Sequence, residues 1–440
     1  MQTKHDSDRT TPTPAHGDAI MSLRDVEVHY QLRGGTMSRL LGLDTGAVKA
    51  VDGVDFDLRK GEVLGLVGES GSGKTTLGRA MLGLVDTTEG TIEYGGMDLG
   101  SLSERKLRGL RRDLQMVFQD PHAALNPSMN LETAVGHPLR IHKLASKSQV
   151  RELVSAAFDR VGLTPADSFL DKYPSDLSGG QKQRAVLARA IILDPVLLVA
   201  DEPVSALDMS VRAKILQLML DLKADLDLTY VYITHDLATA KFFCDRIAIM
   251  YLGRIVEIGP TADIFADPKH PYTKSLLKAI PEPDPDKSTI PDPPRGEIPD
   301  ASSPPLGCSF HPRCPAAFDK CGWESRDLHG LFDTHWLRTG EARFEAESEI
   351  VGDLERLDEP THTAVVRAGR GHSGSEVEAL LDDIHTEDPE EPLWKGVRER
   401  RTLDQGVEVD FYEGEDPLLR RAGSVEVACH LYPPDEDGLR

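Results

Sequence analysis

The stretch Gly68–Thr76, GESGSGKTT, follows the apolar run EVLGLV and opens a segment with helical spacing. It fits G-x-x-x-x-G-K-[ST], which few folds satisfy: a buried strand must end at Gly68, and a helix must begin near Lys74. Gly68, Gly71 and Gly73, with Ser70 between them, let backbone N–H groups turn inward around phosphates. The helix N-terminus adds its dipole. Lys74 can reach the β- and γ-phosphates, the Thr75 hydroxyl can hold Mg²⁺, and Thr76 lies in the same first turn. The expected ligand is therefore a nucleoside triphosphate with Mg²⁺; a GTPase or small-molecule kinase would carry the same loop.

The surrounding pattern agrees. EVLGLVG, LQMVF, VLLVAD, YVYIT and IAIMY are short, β-rich and almost continuously apolar, as parallel strands buried on both faces are. GKTTLGRAMLGL and GGQKQRAVLARAII have helical spacing between them. The alternation predicts an α/β fold with a parallel sheet.

Two more motifs bear on the chemistry. LLVADE (Leu197–Glu202) is an apolar strand ending in two carboxylates, which brings Asp201 to the Mg²⁺ region and Glu202 to where a proton leaves attacking water. LSGGQ (Leu177–Gln181) bares backbone N–H groups at Ser178, Gly179, Gly180 and Gln181 just before a helix, a second anion-binding helix start. One nucleotide has no use for two cradles in one chain. Two chains facing head to tail do, each loop of Gly68–Thr76 being closed by the other chain's LSGGQ.

Composition narrows the partners. Fifty basic against 73 acidic residues leave a formal charge of −23, which argues against nucleic acid and against an anionic membrane surface. Basic residues lean to Arg, and acidic ones run along the whole chain, a balance suited to a salt-rich cytoplasm (a halophile). The most apolar region, Ala185–Asp201, is interrupted by Arg189 and Asp194, and the start has no apolar signal core. The expectation is a cytosolic chain that meets a membrane only through a partner.

Along the chain we expect a disordered leader over 1–20, the nucleotide-binding domain over 21–265, and a C-terminal extension over 266–330 that contains a Pro- and Asp-rich linker, Pro281–Pro305. An acidic insertion over 331–425 reads as partly disordered, with a helix near GSEVEALLDDIH, and residues 426–440 return Cys429 to a cluster formed by Cys308, Cys314 and Cys321. The fifth cysteine, Cys244, reads as core packing. Four thiols in a cytosolic chain suggest a metal site over disulfides. The C-x5-C-x6-C spacing is wider than zinc usually takes, which suits an iron–sulfur cluster better and leaves zinc open, with His311 or His430 as substitute ligands.

From Ser22 to Pro260 the sequence resembles the ABC-transporter ATPases. In that family's order, Gln119 in VFQDP matches the residue that senses Mg²⁺ and attacking water. Asp208 in SALD matches a contact across the dimer, and His235 in YITHD matches the histidine on the γ-phosphate. Tyr30 in VHY matches the aromatic that stacks on adenine, the alternative being a buried strand tyrosine. The resemblance implies a RecA-like core with a β-subdomain and a helical subdomain over about 120–181. FQDPHAALNPSM, HPYTKSLLKAIPEPDP, PPLGCSFHPRCPAAFDKC and VACHLYP resemble the oligopeptide/dipeptide importer ATPases, of the second-ATPase type. This implies a second, non-identical ATPase subunit, two transmembrane permease subunits, an extracytoplasmic substrate-binding protein, and a place on the cytoplasmic face of the membrane. It also implies a [4Fe–4S] cluster on Cys308, Cys314, Cys321 and Cys429. Relatives carry nickel chelates or oligosaccharides, so cargo stays open. A soluble ABC ATPase is the rival, but Thr76 to Leu177 has no room for a long coiled coil and the chain holds one cassette.

Overall fold

The computed structural model describes residues 18–32, 46–280 and 295–433. The expected leader up to residue 17 and the first part of the linker, 281–294, lie outside them. The chain divides into two compact units, Met1–Phe265 and Ala266–Arg440.

In the first unit the five expected strands form one parallel array. β3 (Val63–Val67) lies between β8 (Thr229–Thr234) and β9 (Arg246–Tyr251), and β7 (Leu197–Asp201) joins β8 to β6 (Leu114–Val117). Every residue of β3, β7 and β8 is buried, which is why these runs carry no polar alternation. β10 (Arg254–Pro260) pairs antiparallel with β9. Cys244 is buried against β3: a Cβ placed on Gly65 would lie 2.7 Å from its sulfur. Burial raises that thiol's pKa well above its ordinary value, in keeping with a packing role.

A separate antiparallel sheet takes the order β2-β1-β4-β5, with β1 (Ala19–Gln31) between β2 (Ala47–Arg59) and β4 (Glu89–Tyr94), and β5 (Met97–Asp98) at the edge. Between β6 and β7 the chain is helical. Helices Leu131–Ile141, Lys147–Arg160 and Gly179–Ile191 pack on one another through Leu131, Val135, Leu139, Val150, Val154 and Phe158, all nearly or fully buried. Asn130 caps the first of these by accepting from the N–H of Thr133.

The second unit corrects the expectation of a partly disordered acidic segment. Its described residues carry helices Ser325–Arg338, Glu341–Ile350 and Gly374–Glu387 and a sheet ordered β11-β13-β12 (Thr363–Arg367, Gly406–Phe411, Val397–Leu403). The physical reason is a small two-period core. Ala364, Val366, Val407, Val409 and Phe411 face inward at strand spacing, and Val377, Leu380, Leu381 and Ile384 at helix spacing. The carboxylates that dominate the composition occupy the other faces. The helix expected near GSEVEALLDDIH is Gly374–Glu387, started by a capping box between Ser373 and Glu376.

Candidate active site

β3 runs straight into the loop of Gly68–Gly73, and helix Lys74–Met81 begins where the motif requires it. Packing allows only glycine at two loop positions. A Cβ on Gly68 would stand 2.2 Å from the carbonyl oxygen of Met250, and one on Gly73 would stand 2.0 Å from that of Ala50. Gly73 also holds φ at 96°, in the left-handed region. Ser70 and Gly71 are exposed, and Thr75 and Thr76 are half-buried.

The Lys74 ammonium is buried and bonds to the carbonyls of Gly68 (2.9 Å) and Glu69 (2.7 Å) and to Ser72 Oγ (3.1 Å). Burial lowers its pKa; the carboxylates of Glu202, Asp201 and Glu69 oppose the shift. The end of β7 meets this helix, where Thr75 Oγ1 donates to Asp201 Oδ1 at 3.1 Å. Burial holds the Asp201 carboxyl above the usual carboxylate range, the Thr75 bond works against this, and the charge of Glu202 adds to it. A divalent cation between Thr75 and Asp201 would reverse that balance.

At Glu202 the backbone leaves the strand with φ at 44°, an uncommon conformation for a side chain with a Cβ. Its N–H donates to the Ile233 carbonyl (2.9 Å), and its own carbonyl accepts from the Ser205 N–H (3.2 Å) and hydroxyl (3.1 Å). The turn swings the carboxylate off the sheet end to where two loops meet. Gln119 Nε2 donates to Oε2 at 2.9 Å, and His235 Nδ1 shares a hydrogen bond with Oε1 at 2.8 Å. Lys74, Thr75, Asp201, Glu202, Gln119 and His235 are thus one connected set at the ends of β3, β6, β7 and β8. Such a set can hold phosphates and a cation and can take a proton.

The remaining residues lie apart. Ser178 caps helix Gly179–Ile191, its hydroxyl accepting from the Gln181 N–H (3.4 Å) while Gln181 Oε1 accepts from the Ser178 N–H (3.0 Å). Ser178 and Gly179 are exposed, and Gly180 and Gln181 are half-buried. None of the four bonds to the Lys74–Glu202 set among the hydrogen bonds of the described residues. Asp208 starts helix Met209–Leu226 without using its side chain as a cap. Tyr30, near the end of β1, is 45% exposed, which removes the alternative of a buried strand tyrosine. The tie between Gln119 and Glu202 is the feature sequence reading did not contain, because nothing in the spacing of 83 residues announces it.

In the second unit, Cys308, Cys314 and Cys321 are buried and Cys429 is partly buried; none is in a disulfide. Burial raises the Cys314 thiol to about 12 and the Cys321 thiol to about 11. Cys308 goes higher still, and the charges of Cys321, Cys314 and Cys429 each add to its shift. The four thiols therefore share one neighbourhood. They do not form a group of ligand atoms all within 4.8 Å of one another; among the described residues that group is Glu27, His29 and Asp52. His311 is fully buried and bonds to Asp327 (3.0 Å) and the Cys308 carbonyl (2.9 Å), while His430 bonds to the Glu415 carbonyl (2.8 Å).

Residues 51–205 match the family model described as ABC transporter. With the phosphate loop, the Asp201–Glu202 strand end and the LSGGQ helix cap, this defines an ATP-binding and ATP-hydrolysing enzyme of the ABC class. Residues 256–321 match the model described as oligopeptide/dipeptide transporter, C-terminal region. The oligopeptide transport ATP-binding protein AppF of Bacillus subtilis is 44% identical over 328 residues, 74% of this chain and 98% of that relative. OppF of Escherichia coli, another oligopeptide transport ATP-binding protein, is 42% identical over 316 residues, 71% of this chain and 93% of that relative. A solved dimeric ATP-binding cassette in a post-hydrolysis state with ADP and Pi is 28% identical, covers 55% of this chain and 98% of its own, and superposes with a TM-score of 0.48. The chain belongs to the ATP-binding proteins of the oligopeptide/dipeptide ABC transporters.

Proposed function

We propose that this chain is the ATPase subunit that powers peptide uptake through two membrane-embedded permease subunits, on the cytoplasmic face, beside a second ATPase and fed by an extracytoplasmic binding protein. The observation that carries the reading is the connected set Lys74–Thr75–Asp201–Glu202–Gln119–His235 in a chain that also matches the peptide-transporter C-terminal region. No helix among the described residues is long and apolar enough to cross a membrane, so the membrane contact falls to partners. A cavity of about 180 Å³, lined by Leu82, Leu84, Met116, Phe118, Pro138 and Val186 with Arg111, Gln115 and Arg189, has room for one or two apolar side chains of such a partner.

In this reading Gly68–Thr76, with Ser70, Gly71, Gly73 and Thr76, surrounds the phosphates, Thr75, Asp201 and Gln119 hold Mg²⁺, and Tyr30 faces the adenine. Mg²⁺ supplies charge neutralisation on the phosphate oxygens. Glu202 accepts the water proton on a carboxylate oxygen, and His235 fixes that carboxylate and faces the γ-phosphate. Ser178, Gly179, Gly180, Gln181 and Asp208 serve the nucleotide of the partner ATPase, which accounts for their separation from the chain's own loop. Affinity capture of the tagged chain from solubilised membranes should bring down two multi-spanning subunits. Recovery of the chain alone, or with soluble partners only, would reject the importer.

The four thiols fit a [4Fe–4S] cluster. Zinc would hold its sulfurs about 3.8 Å apart, as bonds of about 2.3 Å in a tetrahedron require. The wide C-x5-C-x6-C spacing is easier to reconcile with the larger cube of iron and sulfide. Coordination would keep the four thiols deprotonated, against the burial that raises Cys308, Cys314 and Cys321, and would tie the Cys308–Cys321 loop to Cys429. Iron and sulfide analysis after anaerobic purification should give about four irons per chain, lost in Cys314→Ser. One zinc per chain instead would overturn the assignment. The charge of −23 supports a salt-rich cytoplasm as the working environment.

A further inference from the structure

We propose that Glu27, His29 and Asp52 form a binding site for a divalent first-row transition metal of zinc size, one that fastens β1 to β2. The site lies in the antiparallel sheet, and the proposal does not depend on the transport reading.

Strand geometry brings the three together. Glu27 and His29 are two apart on β1 and so share a face. Glu27 sits in the irregular stretch between the pairs Val26↔Val54 and Val28↔Val51, which brings Asp52 of β2 near it, and His29 faces Lys49 after a further register shift. The distances are those of ligands around one ion: His29 Nε2 lies 3.4 Å from Glu27 Oε2 and 3.3 Å from Asp52 Oδ1. A tetrahedral ion with bonds of about 2.0–2.1 Å to nitrogen and oxygen spaces its ligands about 3.3–3.4 Å apart. The three ligand atoms all lie within 4.8 Å of one another.

A second observation points the same way. His29 Nε2 is buried and has no hydrogen-bond partner, although two carboxylate oxygens stand within reach of it. A buried ring nitrogen left in that condition costs free energy, which coordination removes. The outer contacts are also those of a ligand set. Arg254 places both Nε (2.8 Å) and a terminal nitrogen (2.7 Å) on Asp52 Oδ2, which orients the carboxylate and leaves Oδ1 for the ion. The His29 backbone N–H is held by Thr88 Oγ1 at 2.8 Å. The competing cation is Lys49, whose ammonium lies 3.5 Å from Asp52 Oδ1 and whose side chain is 42% exposed, so it can swing out to water. Imidazole with two carboxylates suits zinc, cobalt(II) or manganese(II).

The test uses cobalt(II) as the probe on the full-length chain, because thiolate-bound cobalt shows an intense near-ultraviolet band that a nitrogen/oxygen site lacks. The wild type should bind one equivalent without that band, in addition to any thiolate-bound metal. His29→Ala should lose that equivalent and keep the thiolate band. Glu27→Gln, which leaves all backbone bonding intact, should weaken binding at least about tenfold and serves if His29→Ala folds poorly. Lys49→Met should tighten binding by removing the competing ammonium, an effect a purely structural cluster would not show. Equal cobalt stoichiometry in the wild type and His29→Ala would overturn the site, as would Lys49→Met binding no more tightly than the wild type.

Discussion

Glu202→Gln isolates proton transfer from every other function of the site. The substitution keeps length and shape, and the left-handed backbone at φ 44° costs the same for either side chain. Its hydrogen bonds also survive. A glutamine carbonyl can still accept from Gln119, now 2.9 Å from the carboxylate, and its amide can donate to an unprotonated His235 Nδ1, now 2.8 Å away. What disappears is the negative charge and the basicity. Loss of a positioned general base costs about 10²–10⁴ in rate, or roughly 2.7–5.5 kcal/mol at about 1.36 per decade. ATP affinity should change little, since the Lys74 contacts and the Thr75–Asp201 bond are untouched. Single-turnover hydrolysis in the assembled complex, with nucleotide binding measured alongside, reads both quantities. We expect turnover at least about 100-fold slower and a complex that stays closed on ATP. Turnover within about threefold of the wild type would refute Glu202 as the base. Loss of binding would show instead that its charge holds the cradle together.

Lys74→Ala should weaken ATP binding, because it removes the buried cation now seated on the Gly68 and Glu69 carbonyls; equilibrium binding of a labelled nucleotide checks this. Ser178→Arg in this chain alone should abolish turnover at the partner ATPase's loop and spare its own, read by a mixed complex with one loop disabled at a time. His270 is fully buried, and its pKa is lowered to about 3 by that burial. The unfolded chain binds this proton below about pH 6.5, so the contribution is complete above that value and is lost as pH falls toward 3, by up to about 1.4 kcal/mol per pH unit. Denaturant midpoints of the wild type should fall more steeply over that range than those of His270→Asn. Leu381→Ala should destabilise the second unit by about 2–5 kcal/mol, since the side chain is fully buried behind β13; limited proteolysis of the acidic segment reports it.

The sheet was legible because burial on both faces writes itself into sequence as uninterrupted apolar runs, and VLLVAD and YVYIT are strands for that reason. The loop of Gly68–Thr76 was legible because close backbone approach tolerates only glycine at Gly68 and Gly73. The second unit was not, because its core is thin. Ala364 and Val366 supply the inward face of a five-residue strand, and the acidic exterior outweighs them in any compositional reading. The Glu27–His29–Asp52 group was invisible for another reason: it depends on a register between strands, which no local spacing encodes.

The path of the chain through the second unit closes on itself. The chain leaves the cysteine loop at Lys320–Gly322 and comes back on top of its own departure point. The Glu415 N–H donates to the Lys320 carbonyl (3.2 Å), and a Cβ on Gly414 would lie 2.0 Å from the Gly322 Cα. Roughly ninety residues therefore form an excursion whose ends touch, so its length adds almost nothing to the entropy of bringing Cys429 to Cys321. A segment of that topology can lengthen or shorten without re-threading the chain on either side.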